Sequence, residues 1–268
     1  MKIKKESLST TITDEERAEA VQDEYGVSYT KDWKKLIYAP EQLTSYTIKE
    51  GTKVIGDSAF SWCESLEYVN IPNSVTSIGS SAFLGCNSIK SFNIEGKNFF
   101  TENGLLISSK GVLIHCFSTE PNINIPNSVR KIGDSAFEDC YSLISINIPN
   151  SVRKIGDSAF YACDSLKYVN IPNSVTSIGD SAFSGCDSLE YVNIPNSVTS
   201  ISYCAFLECA SLKYVNIPNS VTSISENWDY TVFSGCESLE SIYIPKGTKE
   251  KFSEMLSDYT DYLVEIDI

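Results

Sequence analysis

The sequence holds one histidine, His115, in 268 residues. It has no C-x-x-C pair, so the strongest zinc and thiol-redox signals are missing. No G-x-x-x-x-G-K-[ST] loop, G-x-S-x-G elbow or D-x-D-x-D-G loop occurs, which removes the common phosphate-binding, serine-hydrolase and calcium-loop patterns. Positive charge is scarce: 21 Lys+Arg face 35 Asp+Glu, for a net charge of −14. Phosphates would be repelled, so nucleic acid and anionic membrane are poor partners. No apolar run approaches the roughly 18 residues of a membrane span, so no membrane insertion is expected. Lys2, Lys4 and Lys5 are followed by no apolar stretch, so the N-terminus does not read as a signal peptide. Cytoplasmic residence is expected, or cell-surface or secreted residence if a leader has been removed.

The single histidine makes a weak catalyst. A Ser–His or Cys–His pair needs its base held by a third group. Cys116 is adjacent, and on a strand adjacent residues face opposite sides. His115 therefore reads as a strand residue. No catalytic, cofactor or metal residue is assigned, and the chain is not expected to be an enzyme. Asp57, Asp134, Asp157 and Asp180 recur after glycine, and calcium binding and turn capping both fit such a column. Without a calcium loop, capping is preferred.

Self-similarity is what the chain has in abundance. "IPNSVTSIGDSAFSGCDSLEYVN" (residues 171–193) begins again at Ile194 and has a near copy from Ile148. The isoleucine before each turn falls at Ile48, Ile71, Ile94, Ile125, Ile148, Ile171, Ile194, Ile217 and Ile244, mostly 23 residues apart. Nine rungs of a solenoid follow, each too small to bury its apolar face alone. In "LEYVNIP", Leu66, Val69 and Ile71 have leucine-rich-repeat spacing. Val69 and Ile71 point inward, so Tyr68 and Asn70 point outward. Pro72 stops the strand, and Val75 and Ile78 turn inward again. The phenylalanine of each "SAF", such as Phe160, Phe183 and Phe206, is expected to stack as a core spine.

These recurring I-P, V-x-x-I-G, A-F, C and L positions resemble the BspA-like leucine-rich repeat family of the treponemal type, from about Gly26 to the C-terminus. The resemblance implies a mostly β, right-handed solenoid of the α/β repeat kind, with a parallel sheet on its concave side. It also implies adhesion and protein contact as the use of that sheet. One departure is Ser74, Ser151 and Ser174 where asparagine is usual.

Residues 1–25 are expected to be a helical cap or flexible lead, 26–244 the solenoid and 245–268 a C-terminal cap. Thr13 and Glu16 have capping-box spacing. Phe252, Met255, Leu256 and Tyr259 would form one face of a short helix, which reads as a complete end. Hairpin insertions are expected near 26–38 and 102–116, the second turning at Ser109–Gly111. A small loop is expected around Trp228. Seven of nine cysteines share one phase: Cys63, Cys86, Cys140, Cys163, Cys186, Cys209 and Cys236. Cys116 and Cys204 stand outside it. Disulfides, a metal site, a nucleophile and a buried column are the readings. Stacked side chains point the same way, which favours the column.

The outward strand positions form a ladder of asparagine beside a broken ladder of tyrosine. Tyr, Asn and Ser make adaptable binding surfaces. The partner-binding candidates are Tyr68, Asn70, Tyr168, Asn170, Tyr191, Asn193, Tyr214, Asn216 and Tyr243. The expected function is non-enzymatic binding or adhesion by a monomer, with a protein partner of a host or other surface, or a glycan. The other reading is an intracellular interaction scaffold.

Overall fold

A computed structural model describes residues 8–225 and 230–267; the loop expected around Trp228 lies outside them. The chain divides into two compact units, Met1–Lys110 and Gly111–Ile268. Both are built from stacked, mostly parallel strands, the architecture of a β-solenoid.

The first unit opens with a helix, Asp14–Ala18. Thr13 caps it: its hydroxyl accepts from Glu16 N, and Glu16 reaches back to Thr13 N. The strands Val21–Gln22, Ser28–Tyr29 and Lys35–Tyr38 run antiparallel. Val54–Ile55 and Ser77–Ile78 then continue the sheet in parallel. A second sheet aligns Ser45–Thr47, Tyr68–Ile71 and Ser91–Ile94.

In the second unit, short strands recur at Lys131–Ile132, Lys154–Ile155, Ser177–Ile178, Ser200–Ile201 and Ser223–Ile224, following Val112–Cys116. Longer strands recur at Asn122–Asn124, Ser145–Asn147, Tyr168–Asn170, Tyr191–Asn193, Tyr214–Asn216 and Ser241–Pro245. Register follows the repeat: Tyr191 pairs with Tyr168 on one side and Tyr214 on the other.

The turns also carry hydrogen bonds from rung to rung. Ser158 N, Phe160 N and Ala162 N donate to the carbonyls of Asp180, Ala182 and Ser184 at 2.8–2.9 Å. Ser158 and Ala162 on this path are left-handed (φ 51° and 53°). The serine of each "SAF" has this conformation, and Cys204 stands in the same place. That accounts for one cysteine outside the common phase.

The interior is the expected spine. Phe160, Phe183 and Phe206 stack nearly parallel, with ring centroids 5.1 and 5.6 Å apart. Val69, Val169, Val192 and Val215 are all buried. The thiols line the spine and point along it. Cys163, Cys186 and Cys209 each donate to the carbonyl of the previous rung's phenylalanine at 3.1–3.2 Å. All nine cysteines are free thiols. Burial raises the pKa values of Cys163 and Cys209 well above the ordinary thiol range, helped by the neighbouring thiols of Cys186 and Cys236. Cys116 stands where other rungs place the spine phenylalanine: its N–H donates to Ala136 O as Phe137 N–H does to Ala159 O.

Several expectations need correction. Ile78 is only half-buried, because Ser77–Ile78 is the edge strand of its sheet. The expected strands do flank Ser109–Gly111, as Leu105–Ser108 and Val112–Cys116, but a strand not expected, Phe99–Glu102, also pairs antiparallel with Leu105–Ser108 through a turn at Asn103–Gly104. Both turn residues have positive φ (53° and 74°), as a two-residue hairpin of this kind requires. His115 and Cys116 are both buried, and Cys116 N–H donates to Ala136 O. Burial alone lowers the His115 pKa to about 4. The C-terminal helix spans Lys249–Met255 and buries Phe252, with Leu256 buried just beyond it and Met255 half-buried. A further strand, Leu263–Ile266, then pairs in parallel with Ser241–Pro245.

Candidate ligand-binding face

The candidate residues sit on the outer side of the longer strands, because each strand alternates exposed, buried, exposed. Tyr68 and Asn70 belong to the first unit, where Tyr68 is exposed and Asn70 half-buried. In the second unit Tyr168, Asn170, Tyr191 and Asn193 are exposed, and Tyr214, Asn216 and Tyr243 are half-buried.

Side-chain bonds hold these rings in place. Tyr191 OH accepts from Asn216 Nδ2 at 2.6 Å. Tyr214 OH donates to Glu240 Oε2 at 2.6 Å, and this bond raises the tyrosine's pKa. Tyr214 and Tyr243 stack at 5.9 Å. In the first unit the Lys90 ammonium lies over the Tyr68 ring and pairs with Glu67 at 2.7 Å. The asparagine ladder is bonded only in places: Asn216 Nδ2 reaches Asn193 Oδ1 at 3.3 Å, and Asn70 Nδ2 reaches Thr47 Oγ1 at 2.7 Å. Asn216 Oδ1 is buried with no hydrogen-bond partner.

A second asparagine row, not anticipated from the sequence, runs beside the first. It comes from the turns "IPNS": Asn150, Asn173, Asn196 and Asn219. The proline carbonyl closes each turn by accepting from the valine three residues on, as Val175 N does to Pro172 O at 3.0 Å. That turn carries the asparagine outward at the strand's end. Between the rows lie two adjoining grooves of about 520 and 420 Å³, floored by isoleucine and proline and sharing Asn173 and Asn193. The signal was in the sequence, since every "IPNS" repeats the asparagine.

The aspartate column caps backbone: Asp57 Oδ1 accepts from Ser80 N, and Asp157 Oδ1 from Asp180 N, both at 3.0 Å. Among the described residues, no group of three or more His, Cys, Asp or Glu is placed to hold a metal ion. No helix among them is long and apolar enough to cross a membrane.

The family model of the BspA type leucine rich repeat region matches in six copies, over residues 34–108, 109–228 and 167–268. No curated protein matches. A leucine rich cell surface protein from Faecalibacterium prausnitzii is similar in structure at 29% identity and TM-score 0.69, over 80% of this chain and 63% of its own. A leucine-rich repeat protein from Eubacterium ventriosum is similar at 27% identity and TM-score 0.67, over 74% of this chain and 54% of its own. This chain thus spans less than two thirds of either relative. The pneumococcal vaccine antigen PcpA shares the fold at 20% identity and TM-score 0.63, over 84% of this chain and 67% of its own. With residues 34–268 matched, the chain belongs to the BspA-type leucine-rich repeat family.

Proposed function

We propose that the chain is a non-enzymatic binding module of a bacterial surface and that the Tyr/Asn face is its ligand surface. The partner is a macromolecule of another surface, a protein or a glycan. The observation that carries this reading is the contrast of rigidity and exposure. Tyr168 and Tyr191 present rings to solvent, and Tyr191 is fixed by Asn216 at 2.6 Å. A ring already held loses little freedom when a partner covers it. Likeness to a leucine rich cell surface protein supports the location.

The test is capture from a solubilised surface extract by the parent chain and by a variant carrying Tyr168→Ala, Tyr191→Ala and Tyr214→Ala. Loss of about 1–2 kcal/mol of binding per anchoring ring is expected. A folded triple variant that captures every partner as well as the parent would remove the face from consideration.

A further inference from the structure

The grooves beside the tyrosines say what kind of ligand fits. No Lys, Arg, Asp or Glu lines either of them, in a chain of net charge −14. A charged ligand finds no counter-charge there. What lines them is side-chain amide, and each amide offers two donors and an acceptor. The side chains of Asn147, Asn150, Asn170 and Asn173 make no hydrogen bond within the protein, so their full capacity faces the groove.

Spacing separates the neutral polymers. Rungs of a parallel sheet lie about 4.8 Å apart, so each wall repeats its amide at that interval. An extended peptide repeats its outward groups every two residues, about 6.7 Å, and loses register after a rung or two. A chain of pyranose rings advances by close to one rung per ring. Its hydroxyls both donate and accept, matching amides on both walls. Its apolar C–H face suits an aromatic ring, and the rings of Tyr168 and Tyr191 border the strand asparagines.

We infer that the two asparagine rows form a trough for a neutral, unbranched glycan lying across the rungs, one sugar to a rung. This rests on the proposed role of the Tyr/Asn face and names its ligand class.

The experiment is calorimetric titration of the full chain with cello-, manno- and N-acetylated chito-oligosaccharides of two to six rings. At least one series is expected to bind more tightly with each added ring and to be indifferent to salt. Asn147→Ala with Asn170→Ala, both exposed and unbonded, should weaken binding about tenfold per lost amide at an unchanged melting temperature. Asn170→Asp, which keeps the shape and removes the donors, should weaken it as well. Binding that survives these substitutions would overturn the inference. So would a preference for sulfated or uronic-acid chains that fades with salt. No binding in any series, or equal competition by an extended Ser/Thr peptide, would also overturn it. The outcome is separable from that of the face itself: if oligosaccharides fail while the triple tyrosine variant still loses its captured partner, the face stands and the glycan falls.

Discussion

Two aromatic columns run through the second unit, and they obey different rules. Phenylalanine recurs without exception at Phe137, Phe160, Phe183, Phe206 and Phe233, stacked ring on ring in a dry interior. The exposed column on the longer strands reads Asn122, Ser145, Tyr168, Tyr191, Tyr214 and Ser241. A buried ring is bounded above and below by its own copies, so a smaller residue leaves a void. An exposed position has solvent on one side and tolerates exchange. Uniformity within the repeat therefore marks what holds the solenoid, and irregularity marks where something else is free to act.

The sharpest break of this contrast is Phe183→Ala. Its cavity should cost about 3–5 kcal/mol in urea unfolding. Cys186, buried on the same spine, should react with a thiol reagent only as the native fold opens, and so should label roughly a hundredfold faster or more in this variant. Rapid labelling of Cys163 or Cys186 in the parent would dissolve the picture of a closed interior.

His115 extends the comparison to titration. Its folded pKa of about 4 lies below the ordinary value of 6.5. Between these values the unfolded chain binds a proton that the folded chain refuses. The stabilising effect is therefore complete above pH 6.5 and is lost as pH falls toward 4, by roughly 3 kcal/mol in all. Unfolding of the parent and of His115→Gln across that range should show the slope only in the parent. Equal slopes would place the pH dependence elsewhere.

A smaller effect is expected at the rung-to-rung caps. Asp157→Ala removes the acceptor for Asp180 N and should cost about 1 kcal/mol. A neutral result would mean that water replaces the carboxylate without loss.

The least is expected at the exposed column. Tyr191→Ala should change stability by no more than about 0.5 kcal/mol, since Asn216 Nδ2 keeps Asn193 Oδ1 as its acceptor. If the triple tyrosine variant melts far below the parent, these rings belong to the core and the two columns are not distinct.

Much of this was legible because a solenoid turns sequence period into spatial neighbours. The 23-residue step set the register of Tyr168 on Tyr191 on Tyr214, and the period of two in "YVN" set which side is wet. The capping box at Thr13 and Glu16 was local and needed no tertiary information. Asn103–Gly104 was equally local, yet was overlooked as a hairpin turn. Tertiary structure alone decided the rest. Leu263–Ile266 is a strand because the edge of Ser241–Pro245 offers it unpaired backbone. Cys116 takes a spine phenylalanine's place because its N–H pairs with Ala136 O of the next rung. His115 is held neutral by the packing around it. The turn asparagines line a groove because strand and turn meet at the same height in every rung, a coincidence of position that residue type does not encode.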